Sequence, residues 1–174
     1  FIQPTVSYQI NEKLGFGAGL TIVNGSFELN RAVPAPIGNN NTVNLEGSTI
    51  AYGFNAGLHY QATEKLHVGI SHRSQVDVEL EEGDVDFEVD PSLAASFPDG
   101  KFNATLPLPS TTTLGISYMA SDKLVVSAEA SLVGWSTYKS LDFDFETNTD
   151  RLEDSKNARD YEDAVIIRIG AQYS

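Results

Sequence analysis

The feature that most constrains this chain is a period of two. Seven stretches alternate apolar residues with small or polar ones, in 2–10, 14–22, 50–60, 66–75, 113–118, 124–132 and 165–173. In the second, Leu14, Phe16, Ala18, Leu20 and Ile22 alternate with Gly15, Gly17, Gly19 and Thr21. Successive side chains of a strand point to opposite faces, so each stretch reads as a strand with one apolar face. The predicted strands lie near 1–10, 14–23, 50–62, 66–76, 111–120, 124–135 and 163–173, all in one domain.

One corner is written three times: NEKLGFGAGL at 11–20, TEKLHVGISH at 63–72 and SDKLVVSAEA at 121–130. Pairing Ile10 with Leu14, Ala62 with Leu66 and Ala120 with Leu124 gives three hairpins with three-residue loops. Each pairing keeps the apolar residues of both strands on one side, as register requires. Such loops usually end in a left-handed residue, often glycine; here lysine stands in that place. The other connections are long, with predicted external loops near 24–48, 81–105 and 144–162. Short turns at one end and long loops at the other, joined by strands of this length, describe an outer-membrane barrel.

Charge sharpens the choice. Lys and Arg total 11 against 24 Asp and Glu, which excludes the basic footprint that nucleic acid needs. There is no cysteine, hence no disulfide or thiolate site. Eight acids fall in 77–90 and nine in 142–163, so the predicted strands are nearly free of charge. Two architectures fit alternating strands: a soluble sandwich with the apolar face inward, or a membrane barrel with it against lipid. Three features favour lipid. The polar faces carry only Arg73, Glu129 and Arg168 as charges. They are rich in glycine, which leaves room for a plug or a solute. Tyr8, Tyr60, Tyr118 and Tyr173 recur on the apolar parity beside the short turns, as an interfacial aromatic girdle would. Seven strands cannot close a bacterial single-chain barrel, which uses an even number. The expected fold is therefore all-β, part of a transmembrane antiparallel up-and-down β-barrel.

Candidate chemistry is sparse. The glycines of Gly15-Phe16-Gly17-Ala18-Gly19 have the wrong spacing for a dinucleotide loop, and no helix follows. His59 and His67 share a face of one hairpin, but no third ligand accompanies them, so polar lumen lining is the expected role and no metal site is assigned. Asp142, Asp144, Glu146, Asp150 and Glu153 fall near the offsets of a calcium loop, yet Thr147 occupies the obligatory glycine position. Weak divalent-cation binding by the acidic loops fits better. Glu129 has no nucleophile or second acid beside it. An ion pair with Arg73 or Arg168 is its expected role. No enzyme site and no cofactor are expected.

The stretches GFNAGLHYQATEKLHVGISHRSQVDVEL (53–80), LPLPSTTTLGISY (106–118), VGWSTYKSLDF (133–143) and DAVIIRIGAQY (163–173) resemble, in order, successive pieces of the FadL/OmpP1/TodX family. The resemblance implies a fourteen-stranded outer-membrane barrel of Gram-negative bacteria, plugged by an N-terminal hatch and monomeric when full length. This chain corresponds to its strands four to ten. The implied activity is cofactor-free diffusion of long-chain fatty acids or other hydrophobic molecules, which land among external loops and leave sideways through the wall into lipid. The family's landing groove maps to about 24–48 and 81–105. There Val33, Pro34, Pro36, Ile37, Leu93, Phe97 and Phe102 are the candidate solute-binding residues, with loop-against-loop packing as the alternative. Arg73, Glu129, Arg168, His59 and His67 are the candidate lumen lining. The implied partners are a hydrophobic solute and outer-membrane lipid. Two other readings stay open on the residues alone: a non-transporting porin or structural barrel whose acidic loops bind partners or cations, and a secreted β-sandwich binding module.

Overall fold

The computed structural model describes residues 1–34, 37, 38 and 40–174. Its strands are β1 (Thr5–Asn11), β2 (Leu14–Ala32), β3 (Thr42–Gln61), β4 (Leu66–Arg73), β5 (Val76–Glu88), β6 (Gly100–Leu108), β7 (Thr111–Ser121), β8 (Leu124–Val133), β9 (Ser140–Phe145), β10 (Ser155–Ala158) and β11 (Ala164–Tyr173). Single 3-10 turns occupy Pro91–Leu93 and Trp135–Thr137. All pairings are antiparallel.

Seven strands form an open wall in the order β1-β2-β3-β4-β7-β8-β11. Among the described residues, no second layer of protein covers its apolar parity. Leu114 is 55% exposed, Ile116 46% and Ile169 84%. A sandwich would bury these side chains under a facing sheet, so that architecture is excluded. The wall is the partial sheet of a larger barrel.

The short corners solve their geometry without glycine. Asn11 pairs with Leu14, and Ser121 with Leu124. At both places the register slips by one just before the turn, leaving Ile10 and Ala120 as bulged residues where three-residue loops were expected. None of the three corner lysines has positive φ. The preceding small polar side chain holds the turn instead, as such residues do when they bond their own backbone. Asn11 Oδ1 accepts from the N–H of Lys13 and Leu14 at 2.9 and 3.0 Å. Thr63 Oγ1 does so for Lys65 and Leu66, and Ser121 Oγ for Lys123. Each lysine carbonyl then accepts the N–H of the next wall strand, from Gln61, Met119 and Ser174 in turn.

The other end departs from the expected loops. The regions 24–48 and 81–105 are mostly strand: β2 and β3 stay in unbroken register from Leu14↔Tyr60 to Ala32↔Thr42. With β5, β6, β9 and β10 they build a second, external sheet in the order β2-β3-β5-β6-β9-β10. β3 belongs to both sheets, pairing with β4 below and with β5 above. The strands outrun the alternation because the apolar parity changes sides at Val23. Below it the apolar residues are even-numbered and face outward. Above it Val23, Phe27, Leu29, Val43 and Leu45 are odd-numbered and face inward, while Glu28 and Glu46 take the outer face. β5 changes phase by another device: Glu81 and Glu82 bulge opposite Asn103, with Glu82 at φ 53° and its N–H bonded to Asn103 Oδ1.

The inward side chains form a core of Leu45, Leu80, Val85, Phe102 and Phe143, with Phe27, Leu29, Phe87 and Phe145 against it. Phe27 on β2 lies 6.2 Å from Phe143 on β9, ring centre to ring centre. Four strand spacings of a flat sheet would separate those strands by roughly 19 Å. The external sheet is therefore rolled, and it buries one face on itself.

Candidate solute path

The polar faces of β1, β2, β3, β4 and β7 line one open trough of about 890 Å3, whose surface includes Gln3, Thr5, Ser7, Gly15, Gly17, Asn55, His59, Ser71, Arg73 and Thr113. Its floor is small-residue backbone. A Cβ added at Gly15 or Gly17 would meet nothing nearer than 4.0 or 3.7 Å, so glycine there makes space in the trough.

Other glycines of the same face receive side chains. The lower half of β5 leans over the inner face of β2 and β3. There a Cβ on Gly53 would stand 2.6 Å from Val76 Cγ2, and one on Gly47 would stand 2.7 Å from both Leu80 methyls. Val76 is buried with Val23 and Ala51, and Val78 and Leu108 pack beside them. The β5–β6 hairpin thus narrows the upper end of the trough, held by apolar side chains seated over missing ones.

Five candidate lining residues share the polar face of the wall. Glu129 pairs in register with both Gly115 and Arg168, and the Arg168 guanidinium donates to the Glu129 carboxylate. The pair is a direct cross-strand neighbour contact. Arg73 stands opposite Asn55 and Thr111 and makes no ion pair among the described residues. His59 and His67 meet each other, Nε2 to Nδ1, at 3.3 Å. The third histidine, His72, lies on the opposite parity, against Thr112 Oγ1 at 2.9 Å.

The candidate landing residues divide. Phe102 is 1% exposed and sits in the external core. Leu93 and Phe97 are also buried, Phe97 against Phe87 at 5.5 Å. Three of the expected groove residues are therefore packing residues, because the rolled sheet consumes their surface. Pro34 and Ile37 are exposed and Val33 is half-buried; Pro36 lies outside the described residues. Asn41 was not singled out by its sequence, since no alternation marks it. It is buried, donates to the Ile37 carbonyl at 2.8 Å and accepts the Asp90 N–H at 2.9 Å, clamping the β2–β3 tip to the β5–β6 connection.

The acids of the external strands face outward. Glu28, Glu46, Asp84 and Lys101 stand in one cross-strand row. Lys101 Nζ contacts Asp84 at 2.5 Å, and that hydrogen bond holds the amine above its usual range. Asp142 and Asp144, which fall near calcium-loop offsets in the sequence, lie on β9, where a strand spaces them along one face and cannot wrap an ion. Among the described residues no set of three acids or histidines is arranged to hold a metal. Asp90 accepts from the Ser92 hydroxyl at 2.6 Å and its N–H at 2.9 Å. The hydroxyl bond first, and the N–H second, hold its carboxyl below the ordinary value.

Comparison with known proteins agrees with this geometry. Residues 1–174 match the family described as outer membrane protein transport protein (OMPP1/FadL/TodX). Outer membrane protein P1 of Haemophilus influenzae is 30% identical over 129 residues, covering 71% of this chain and 26% of that protein. The 47 kDa outer membrane protein of Pasteurella multocida is 26% identical over 139 residues, covering 74% and 32%. The chain thus spans about a quarter to a third of the curated relatives it matches. Among solved structures, a Pseudomonas aeruginosa FadL homologue superposes with a TM-score of 0.76 at 17% identity, over 97% of this chain and 44% of that one. The CymD monoaromatic hydrocarbon channel gives 0.73 at 23% identity, over 98% and 54%.

Proposed function

Because the chain belongs to the OMPP1/FadL/TodX family of outer membrane transport proteins, we propose that the protein of which it forms the wall carries long-chain fatty acids or other hydrophobic small molecules across the outer membrane of a Gram-negative bacterium. The observation that carries this reading is the pairing of a family match over the whole chain with a wall whose apolar side is bare and whose other side is a small-residue trough.

The physical logic is a transfer between two apolar environments past a wet surface. A lipophilic solute is held poorly by water and strongly by lipid, so a path that ends in the membrane needs no energy input and no cofactor. The solute first meets the β2–β3 tip, at the exposed Pro34 and Ile37 and the half-buried Val33. It moves beneath the β5–β6 hairpin into the trough, past a plug that the rest of the protein supplies, and leaves through the wall. Binding residues here act by contact and shape; none performs covalent chemistry.

The test uses the full-length gene in a strain lacking its own hydrophobic-solute transporter. Expression is expected to raise uptake of a labelled fatty acid or of a labelled monoaromatic hydrocarbon. Ile37→Asp is expected to lower that uptake while the protein still migrates as a folded barrel. Uptake at the level of the empty strain for both solute classes would overturn the reading.

A further inference from the structure

The geometry points to a two-histidine site for a transition-metal ion on the trough face of the wall, formed by His59 Nε2 and His67 Nδ1. Three observations carry it. The two nitrogens are 3.3 Å apart while the ring centres are 5.3 Å apart, with ring planes 24° from parallel. Rings stacked face on face would bring their centres as close as their atoms. These meet edge to edge, nitrogen toward nitrogen. Second, 3.3 Å is long for a nitrogen–nitrogen hydrogen bond, since N–H donors ordinarily sit near 3.0 Å from their acceptor. It matches the bite across a tetrahedral ion. Two imidazole nitrogens each about 2.05 Å from zinc, at the tetrahedral angle, lie roughly 3.3 Å apart. Third, neither nitrogen has another protein partner among the described residues. Both histidines sit on paired strands that fix their backbones, diagonal to one another across Gln61↔His67 and His59↔Gly69.

The surroundings fit a site completed by solvent. His59 stands between Gly15 and Gly69 in register, so nothing on either neighbouring strand crowds it. His67 stands between Gln61 and Ser117. Both histidines open onto a cavity of about 470 Å3 that also holds Ser117, Ser127, Glu129 and Arg168. Two protein nitrogens plus water suit zinc, copper(II) or nickel(II), for which imidazole is a favoured ligand; calcium and magnesium prefer oxygen and have no claim on it. The site is separate from the acidic outer face, which offers only carboxylates. A bound ion would tie β3 to β4 near the short corner and place a positive charge in the trough.

The experiment uses the full-length protein, refolded in detergent and stripped of metal, titrated with copper(II) under calorimetry, with electron paramagnetic resonance of the bound ion. The expected result is one site with nitrogen hyperfine structure. His59→Gln and His67→Gln are each expected to weaken it about tenfold or more, since each removes one of two protein ligands, and His72→Gln to leave it unchanged. Calcium at the same concentrations is expected not to compete. Folding of each variant is read from its heat-modifiable migration on gels. His59→Asn serves as the alternative should the glutamine variant fail to fold. Equal copper affinity in the folded wild type and both variants, or no site in the wild type, would overturn the assignment. Neither outcome bears on solute uptake, which is measured separately.

Discussion

The lower and upper halves of β2 and β3 are the same two strands, paired without a break over 19 register positions, yet they are built on opposite plans. Below Val23 the outward residues are Leu14, Phe16, Leu20, Tyr52, Phe54 and Leu58, and most are exposed. Above it the outward residues are Asn24, Ser26, Glu28 and Glu46, with Ile50 opposite Asn24 the last exposed apolar one, and Phe27, Leu29, Val43 and Leu45 point in. The backbone does not change; the solvent outside it does. Where lipid is the surroundings, apolar side chains stand bare and the concave side is wet. Where water is the surroundings, the apolar side chains must find one another, and the sheet rolls until Phe27, Phe102 and Phe143 touch. The outward face therefore passes from apolar to polar just above Ile22 on β2 and just above Ile50 on β3.

The most severe way to break this contrast is in the external core. Phe102→Ala is expected to cost about 3–5 kcal/mol, as truncation of a buried phenylalanine does. The loss is expected in the external sheet alone, seen as fast proteolysis between β5 and β10 of the full-length protein in vesicles while the wall stays protected. Equal protection of both parts would show that Phe102 is not a core residue. Next comes the wall. Ile116→Arg sets a charge toward lipid and is expected to cost about 2–4 kcal/mol near mid-span, whereas Ser117→Arg, one residue along, enters the trough and costs far less. Denaturant titration in vesicles compares them, and equal costs would remove the assignment of faces.

Glycines sharpen the comparison at smaller magnitude. Gly47→Ala drives a methyl to 2.7 Å from Leu80 and is expected to cost about 1–3 kcal/mol, as overpacking does. Gly115→Ala meets no atom closer than 4.0 Å and is expected to be near neutral by the same titration. Similar effects would mean that the two glycine classes are one. The smallest effect concerns the β5–β6 tip. Asp90 has its folded-state pKa lowered by Ser92, so its contribution is present above the ordinary carboxyl pKa and fades as the pH falls through that value toward the folded one. Protection of the Leu93 and Phe97 amides, relative to the intrinsic exchange rate at each pH, is expected to fall on acidification in the wild type and to be already low and less pH-dependent in Asp90→Ala. An unchanged Asp90→Ala profile would show that the cap does not hold the tip.

Much of the wall was legible because its rules are short-range. Alternation named the seven wall strands, and the recurrence of a small polar residue before each Lys-Leu marked the corners. Two of the three turns lie one residue from the expected place, because a side-chain acceptor on Asn11 or Ser121 does what glycine does elsewhere and a bulge absorbs the difference; at the other corner the Ala62 N–H bonds the Leu66 carbonyl across the expected three-residue loop. The external strands were also written in the chain, as the apolar doublets Ile22-Val23 and Ile50-Ala51 and the odd-numbered Phe27, Leu29, Val43 and Leu45. Alternation of one fixed parity ends at such a doublet, so the strand beyond it reads as loop. Leu93, Phe97 and Phe102 read as part of a landing surface for the same reason: apolar residues without strand parity look free.

The sequence by itself determined which side of the wall is greasy, where its short turns lie and how many strands it has, since each follows from neighbours within a few positions. Tertiary structure alone decided that β9 returns over β2, that Val76 and Leu80 lie against Gly53 and Gly47, and that His59 and His67 meet nitrogen to nitrogen. Those contacts depend on which strands pair and how far the sheet rolls, and burial of a whole face, a property of the assembled sheet, supplies the free energy that selects them.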